Sequence, residues 1–337
     1  MRPLRFMLVA AVTTPVACTA PEGAPAVPAT DRPAAKPGWQ WSMDSVRSVV
    51  NAVRAGRSLQ PAKWPGGARV AVLLSFDVDN ETIPLRFGEP TIGALSQGQY
   101  GSRVGLKRVV DLVDREAIPA TFFIPSVSLA LAPEMAELIK RSGRHEFGVH
   151  GWIHEMNATL PADKERELLT RAVDELTRLT GARPVGYRAP SWNLSPATLG
   201  IVRDLGFRYE SSLMADESPY ELLADGQPTG LVELPVEWIL DDAPLVNPTG
   251  DRYSPPRDLL QVWIDEFDRA HQEGTMFLLT LHPHIIGHRS RILILERLID
   301  YIQLKPGVWF ATHRDAAEYA RQEGGISRPT TTTTTGR

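Results

Sequence analysis

The stretch RVAVLLSFDVD, residues 69–79, joins a continuous apolar run to two aspartates, Asp77 and Asp79. In an extended backbone, residues i and i+2 point to the same face, so the two carboxylates are predicted to lie side by side. Two such charges repel each other unless they share a proton or hold a cation between them. The simpler interpretation is a strand that continues into a solvated acidic loop, and the rest of the chain has to decide between the two.

Short apolar runs alternate with amphipathic helices through the remainder of the sequence. The predicted strands span residues 69–77, 120–126, 146–150, 185–188, 207–212, 231–238, 276–282 and 308–312. The predicted helices span residues 102–117, 133–143, 163–181, 195–206, 256–274 and 289–304. This alternation is typical of an α/β fold with a parallel sheet covered by helices. Seven or eight such units favour closure into a barrel, with an open doubly wound sheet as the alternative.

Composition limits the kinds of protein that this chain can be. Of its 337 residues, 43% are hydrophobic, which is enough for a large core. The formal net charge is -4 and no long basic run is present, so nucleic acid is not expected as a partner. Cys18 is the single cysteine, which excludes an intramolecular disulfide and a cysteine-rich metal site. Any metal site must therefore use histidines and carboxylates.

The two ends of the chain differ in composition from the middle. Residues 1–18 contain two arginines, a short apolar run and a small residue before Cys18, which is the pattern of a secretory signal and is too short to span a membrane. The ending VAC also resembles a lipoprotein signal, in which the cysteine is lipidated; the alternative is an ordinary apolar N-terminus. We predict a Pro/Ala-rich linker at 19–40, a folded domain at 41–323 that begins with a helix at 42–56, and a disordered Thr-rich tail at 324–337.

Polar residues follow the predicted strands where an α/β fold places its functional site, at the carboxyl ends of the strands. Asp77 and Asp79 follow the first strand, and His150 ends the strand EFGVH, with His154 four residues later in HGWIH. A histidine pair at this spacing is more often chance than a ligand pair. Together with a carboxylate and a water, however, the two histidines form the layout of an open catalytic zinc site. The same donors occur in non-haem iron oxygenases, which usually have all-β scaffolds.

The other strand ends carry an arginine, a histidine and a tryptophan. Arg188 ends VGYR and would keep a neighbouring Asp77 ionised and oriented, the alternative being a surface charge. His282 ends MFLLTLH directly and is therefore preferred over His284 as the residue at the mouth of the barrel. The tryptophans near these motifs are either core aromatics or walls of a pocket for a sugar or a flat ring; they are Trp152, Trp192 and Trp238, the last at the end of LVELPVEW.

Five of these stretches resemble the motifs of the polysaccharide deacetylase superfamily, the NodB-homology domain of carbohydrate esterase family four. SFDVD resembles the first motif, HGWIH the second, RAPSW the third, ELPVEW the fourth and LTLHPH the fifth, in the order of the family and over about residues 69–312. The resemblance implies an irregular (β/α)7 barrel that binds one divalent metal, usually zinc. It also implies hydrolysis of an N-acetyl amide to a free amine and acetate.

The resemblance further implies a role for each residue of the site. The implied metal ligands are Asp79, His150 and His154. The implied catalytic residues are the general base Asp77, its orienting partner Arg188 and the general acid His282. A backbone N–H near Ser191 would lie against the oxyanion. Trp192 and Trp238 are further predicted substrate contacts because of their position beside the motifs.

Three departures from the family pattern leave the substrate open. FDVDNE replaces the commoner F-D-D-G, Ser191 stands where an aromatic residue usually follows the proline, and Pro283 follows the last histidine. These variants resemble the branch that contains a bacterial peptidoglycan deacetylase, allantoinase-like hydrolases and cyclic-imide hydrolases. Because of the export signal, an N-acetylated glycan of the cell envelope is the expected substrate and a cyclic amide the alternative. A non-catalytic carbohydrate-binding barrel would be expected to lack Asp77 or a ligand.

Overall fold

The computed structural model describes residues 36–88, 90–246 and 253–327. The predicted signal with Cys18, most of the predicted linker and nearly all of the predicted tail lie outside the described residues. The chain forms two compact units, Met1–Val46 and Arg47–Arg337. In the described part of the first unit, a 3-10 turn spans Gly38–Gln40 and the first helix begins. Among the described residues, none of the helices has the length and apolar character needed to cross a membrane.

The described residues contain ten strands, of which seven form a continuous parallel sheet. The strands are β1 Val53–Ser58, β2 Val70–Asp77, β3 Thr121–Ile124, β4 Glu146–Val149, β5 Gly186–Tyr187, β6 Tyr209–Glu210, β7 Tyr220–Ala224, β8 Gln227–Glu233, β9 Met276–Leu281 and β10 Val308–Ala311. The parallel order is β9-β2-β3-β4-β5-β6-β8, and β10 pairs with the first half of β2. All eight predicted strands are confirmed, while the antiparallel strands β7 and β1 beyond β8 were not predicted.

Helices connect most of the strands from β2 onward and pack on the outside of the sheet, and the first helix precedes the first strand. They are α1 Met43–Asn51, α2 Thr82–Leu85, α3 Ile92–Tyr100, α4 Leu106–Arg115, α5 Ser126–Leu131, α6 Glu134–Lys140, α7 Ala162–Thr180, α8 Thr198–Asp204, α9 Asp242–Val246, α10 Pro256–Glu273, α11 Pro283–Ile286, α12 Arg289–Gln303 and α13 His313–Gly324. A π-helical segment, Gly101–Gly105, joins α3 to α4. The six helices predicted after residue 100 correspond to α4, α6, α7, α8, α10 and α12, and the other described helices after α1, including α13, were not predicted.

The helix predicted over residues 42–56 is wrong in its second half. The helix α1 ends at Asn51, and the following residues form β1, in which Val53 pairs with Ala224 of β7. Gly56 was expected to stop the helix, but it lies within the strand, where an added Cβ would lie 2.7 Å from the carbonyl oxygen of Glu221. The valine spacing that suggested a helix therefore continues into a segment whose conformation is set by a partner strand far away in sequence.

The strand β2 is the centre of the sheet and all eight of its residues are buried. It pairs with β9 along one edge, from Ala71 to Phe76, and with β10 and then β3 along the other. At the far side, the chain after β8 reaches β9 through a bridge between Asp241 and Thr280. This curled parallel sheet with helices outside is the irregular (β/α)7 barrel expected from the sequence, and the open doubly wound alternative is wrong.

Three glycines of the bent helix α3–α4 allow it to pack directly against two loops at the carboxyl ends of strands. We call Gly98, Gly101 and Gly105 the glycine face. A Cβ added at Gly98 would lie 2.5 Å from the Asn80 carbonyl oxygen, and one at Gly101 would overlap the Asn80 side chain. A Cβ at Gly105 would overlap the carbonyl oxygen of Pro283. The glycine face thus contacts both the loop after β2 and the loop after β9, which fixes their separation.

Candidate active site

The two aspartates lie at the carboxyl end of β2 and both face one histidine, as the spacing predicted. His150 Nε2 lies 3.6 Å from Asp77 Oδ2 and 3.5 Å from Asp79 Oδ1. The hydrogen bonding to β3 continues one residue beyond the strand, because the Val78 N–H donates to the Phe123 carbonyl oxygen at 2.9 Å. The chain then turns at Asn80, whose φ is 50°. The two carboxylates are therefore adjacent and buried, and the interpretation as a solvated acidic loop is wrong.

The HGWIH segment brings its two histidines together through a tight loop. His150 directly follows β4, and the loop then turns through Gly151 and His154, whose φ values are 77° and 62°. The Glu155 carboxylate accepts hydrogen bonds from the N–H groups of Trp152 at 3.0 Å and Ile153 at 2.8 Å, which holds the turn. As a result, His154 Nε2 lies 3.6 Å from Asp79 Oδ2.

Asp79, His150 and His154, which we call the ligand cluster, form a buried set of three donors. Their ligand atoms all lie within 4.8 Å of one another. Neither carboxylate oxygen of Asp79 has a hydrogen-bond partner among the described residues. A buried carboxylate without donors is costly, and a divalent cation held by one oxygen and two nitrogens would remove that cost. The donor set therefore fits the metal that the sequence resemblance implies.

The ring protons of the two histidines are placed differently. His150 Nδ1 lies 2.8 Å from the Arg188 carbonyl oxygen, which can only accept, so the Nε2 lone pair faces the aspartates. His154 Nδ1 lies 2.7 Å from Arg86 Nη1, which can only donate. The neutral His154 ring therefore carries its proton on Nε2, the nitrogen that faces Asp79. Arg86 has to release Nδ1 before His154 Nε2 can bind a metal, and the sequence analysis did not identify Arg86.

Arg188 is completely buried and fixes the position of Asp77. Its Nη1 donates to Asp77 Oδ1 at 2.8 Å and to Ser75 Oγ at 2.9 Å. Its Nε donates to the Ser211 carbonyl at 2.9 Å, and its guanidinium carbon lies 4.2 Å from the centre of the Phe123 ring. The guanidinium is thus held on several sides, and the expectation of an arginine beside Asp77 is confirmed.

The two aspartates have opposite pKa shifts. Burial alone would raise the pKa of Asp77, but the charges of Arg188, His150 and His282 outweigh it and hold this pKa below 3.8. Burial raises the pKa of Asp79, and the neighbouring charge of Asp77 adds to the shift. Asp77 is therefore an ionised carboxylate able to accept a proton, whereas the charge of Asp79 needs a cation.

Asp241, Asp242 and His282, which we call the proton cluster, lie beside the ligand cluster. The His282 Nδ1–H donates to Asp242 Oδ1 at 2.7 Å, and Asp241 Oδ1 lies 3.5 Å from the same nitrogen. Burial by itself would lower the pKa of His282, but the two aspartates raise it well above 6.5. Its Nε2 lies 3.6 Å from Asp79 Oδ2. The protonated ring therefore points its second N–H toward the ligand cluster.

The aspartates of the proton cluster were not predicted from the sequence. Two residues separate them from the end of LVELPVEW, so they lie beyond the predicted strand end where functional residues were sought. The bridge between Asp241 and Thr280 of β9 brings them next to His282. Two adjacent acidic residues after the fourth motif were the available signal, but only the tertiary contact gives them a role.

The predicted position of Trp238 at a strand end is wrong. The strand β8 ends at Glu233, because the chain leaves the sheet at Pro235, which has no N–H for the ladder. Trp238 instead begins a 3-10 turn, and its ring lies 4.1 Å from that of Trp192. Trp192 is only 8% exposed and Trp238 is 45% exposed, so Trp238 presents the accessible face of the pair. Trp152 packs against Arg171, 3.8 Å from its ring centre.

A cavity of about 290 Å³ opens beside His282. Its walls are mostly apolar and include Ile83, Pro84, Phe87 and Ala243. His284 also lies in this wall, and burial lowers its pKa to about 3, which keeps the ring neutral. His282, which was preferred over His284 for the mouth of the barrel, is the histidine of the two whose Nε2 lies 3.6 Å from Asp79 Oδ2. The cavity thus borders the side of the site that holds His282.

Comparison with known proteins identifies relatives of this chain. The family described as Polysaccharide deacetylase matches residues 99–210. The peptidoglycan deacetylase of Helicobacter pylori is 30% identical over 280 residues, which cover 73% of this chain and 95% of that protein.

Two solved structures have the same fold. A Mycobacterium smegmatis protein assigned to the polysaccharide deacetylases superposes with a TM-score of 0.74 at 34% identity, covering 82% of this chain and 98% of its own. The Puue allantoinase superposes with a TM-score of 0.69 at 26% identity, covering 77% of this chain and 92% of its own. These similarities extend over nearly the whole length of each relative.

Proposed function

The chain belongs to the polysaccharide deacetylase family, a family of hydrolases that act on carbon–nitrogen bonds, and we propose that it removes N-acetyl groups from cell-envelope glycans such as peptidoglycan. Its barrel is of the NodB-homology type. The name of the Helicobacter pylori relative supports peptidoglycan as the substrate class, and the Ser191, Trp192 and Trp238 side of the site would contact the sugar.

One observation carries the proposal. The Asp79 carboxylate has no hydrogen-bond donor, and its Oδ2 lies 3.6 Å both from His154 Nε2 in the ligand cluster and from His282 Nε2 in the proton cluster. The site thus combines a set of metal donors with a protonated imidazole. We propose that Asp79, His150 and His154 hold one zinc ion, which as a Lewis acid would polarise the amide carbonyl and activate water.

The residues of the chain would carry the proton transfers. Asp77, ionised and oriented by Arg188, accepts a proton from the water that attacks the amide carbonyl. The N–H groups of Trp192 and Asn193 already donate to carbonyls within their own loop, so the Ser191 N–H is the proposed donor to the oxyanion. His282 then donates its Nε2 proton to the departing nitrogen as the carbon–nitrogen bond breaks. The products are acetate and a free amine.

The proposed location rests on the sequence of the N-terminus. We propose that residues 1–18 are a signal, that Cys18 is a lipid attachment site and that residues 19–40 link it to the catalytic barrel at 41–323. This arrangement would hold the enzyme in the cell envelope, beside its substrate. Replacing Cys18 with serine tests the anchor, because the variant should leave the membrane fraction while the parent remains there.

The second candidate is hydrolysis of a cyclic amide. The similarity to the Puue allantoinase favours it, because that protein has the same fold at 26% identity. Both reactions use water to open an amide, and the ligand cluster is compatible with either. The proposed export favours the glycan, since small cyclic amides are metabolised inside cells.

A single panel of substrates tests the proposal. One metal-loaded preparation is incubated with peptidoglycan fragments, chitooligosaccharides, allantoin and a simple cyclic imide, and acetate release and ring opening are measured. We expect acetate from the N-acetylated glycans. Ring opening of the last two substrates without acetate from the first two would replace the proposed function with the second candidate.

A further inference from the structure

Arg86 is a cation at the edge of the site whose described hydrogen bonds all go to neutral groups. It follows α2 and is half-buried, and its Nη1 lies 2.7 Å from His154 Nδ1 and 3.1 Å from Ser191 Oγ. The ring centre of Phe87 lies 4.6 Å from its guanidinium carbon. All of these partners are neutral, and within the described ranges no carboxylate forms an ion pair with Arg86.

The hydrogen bonding of Arg86 is incomplete, in contrast to that of Arg188. Arg188 uses Nε, Nη1 and Nη2 as donors and pairs with the Asp77 carboxylate. The Nε–H of Arg86 is buried and has no partner in the part of the chain that the structure describes. Burying an N–H of a charged group without an acceptor costs free energy. A ligand that supplied an acceptor to the Arg86 Nε–H would remove this cost.

The geometry points to a carboxylate on the substrate, and we propose that Arg86 binds it. A guanidinium presents parallel N–H groups that match the two oxygens of a carboxylate. Arg86 approaches His154 from Nδ1, whereas the nitrogen that faces Asp79 is Nε2, so the imidazole ring lies between the guanidinium and Asp79. Arg86 is therefore placed to hold a substrate group beside the reacting amide.

This inference rests on the proposed function and narrows its substrate class. Oligomers of N-acetylglucosamine are uncharged and offer no carboxylate to Arg86. Peptidoglycan fragments carry one either on the lactyl group of N-acetylmuramic acid or on the stem peptide. The proposed substrate is accordingly an N-acetylated glycan with a carboxylate near the scissile amide.

Binding measurements without turnover test the assignment. Calorimetry compares N-acetylmuramic acid with its uncharged amide on the metal-loaded parent, on Arg86→Gln and on the control Arg178→Gln, an exposed arginine of α7. We expect the parent and the control to bind the acid about 10- to 100-fold more tightly than the amide, the range of a charge-assisted hydrogen-bonded pair. The ratio should fall to about one in Arg86→Gln. An unchanged ratio in Arg86→Gln, where the parent prefers the acid, would overturn the assignment. Equal binding of acid and amide by the parent would also overturn it if Arg86→Gln kept full affinity for a fragment that carries a stem peptide.

Two further arms separate the source of the carboxylate and guard against misfolding. A disaccharide with a free lactyl carboxylate is compared with one whose lactyl group is amide-linked to a stem peptide, and the arm that loses affinity in Arg86→Gln identifies the source. If Arg86→Gln loses affinity in neither arm, the assignment is overturned.

Arg86→Lys keeps the charge without the paired N–H geometry. It should retain part of the preference for the acid, even if Arg86→Gln folds poorly. Absence of acetate release from every glycan would refute the proposed function, whereas the acid-to-amide ratio would still decide the role of Arg86.

Discussion

The ligand cluster and the proton cluster consist of the same residue types, aspartate and histidine, and both meet the geometric requirement for a metal site. They differ in hydrogen bonding. The Asp79 oxygens have no donor, while Asp242 accepts from the Nδ1–H and the backbone N–H of His282. Donor geometry alone therefore does not identify a ligand set. The Asp79 carboxylate lacks hydrogen bonds and therefore needs a cation. The Asp242 carboxylate has hydrogen-bond donors and stabilises the proton on His282.

The histidine pKa values follow the same division. Burial, together with the charges of His150 and Arg86, lowers the pKa of His154 well below 6.5, so the ring is neutral and can bind a metal once Arg86 releases Nδ1. The proton cluster has the opposite effect on His282, whose pKa lies well above 6.5 because of Asp241 and Asp242. One cluster thus favours a neutral ligand and the other a charged acid, although His154 Nε2 and His282 Nε2 lie at the same 3.6 Å from Asp79 Oδ2.

Removing a metal ligand should have the largest effect on activity. We expect His154→Ala to lose its bound metal and to reduce deacetylation to the background, because one oxygen and one nitrogen cannot hold the ion. Metal content after dialysis and acetate release measure this effect. His271→Ala, a surface histidine of α10, is the matched control and should keep both. Full activity in metal-free protein would refute the ligand assignment.

Removing the base or the acid should separate catalysis from metal binding. Asp77→Asn and His282→Ala should each lower kcat by about 10²- to 10⁴-fold, the usual contribution of a general base or acid. Both variants should keep the metal of the parent, as measured by elemental analysis. If Asp77→Asn emptied the site, Asp77 would be a ligand, and the roles of the two aspartates would have to be exchanged.

Changing the charge of the proton cluster should shift a pH profile. The general acid works only while His282 is protonated, so activity falls as the pH rises through its pKa. Asp242→Asn removes one of the two charges that raise this pKa, and we expect the alkaline limb to move to lower pH by about one unit. The profile of kcat is the measurement, with Asp174→Asn on the surface of α7 as the control. An alkaline limb that stays in place would show that another group limits the rate there.

The smallest expected effect lies at the aromatic pair of Trp192 and Trp238. Trp238 offers the accessible face of the pair, so Trp238→Ala should raise KM by about 2- to 10-fold with little change in kcat. Trp238→Phe keeps an aromatic face and should recover part of the loss. Trp192, which the sequence analysis also named as a substrate contact, is nearly buried and should act mainly by supporting Trp238. A fall in kcat at constant KM would contradict a role in sugar binding.

The sequence predicted those parts of the site that are determined by strand ends. Asp77, His150 and His282 each follow or end a buried strand, and parallel strands bring their carboxyl ends together. Their convergence was therefore predictable from the alternation of strands and helices. The adjacency of Asp77 and Asp79 was predictable from the period of an extended backbone.

The parts that were missed depend on contacts between distant segments. The position of Asp242 is set by the bridge from Asp241 to Thr280, and Arg86 reaches His154 through a loop whose direction no local pattern specifies. Strand β1 has no regular apolar alternation, and its residues become a strand only by pairing with β7. Local propensity cannot report such partners, because the free energy that selects them comes from tertiary pairing.

The glycine face has a consequence for the order in which the protein folds during synthesis. Asn80, the ligand cluster and the bent helix α3–α4 all belong to the first half of the chain and can assemble as soon as β2, β3 and β4 have paired. The half of the face that receives Pro283 stays uncovered until β9 is made and docks on the free edge of β2. Such non-local pairing is slow. When refolding is monitored, metal uptake should therefore appear earlier than enzymatic activity.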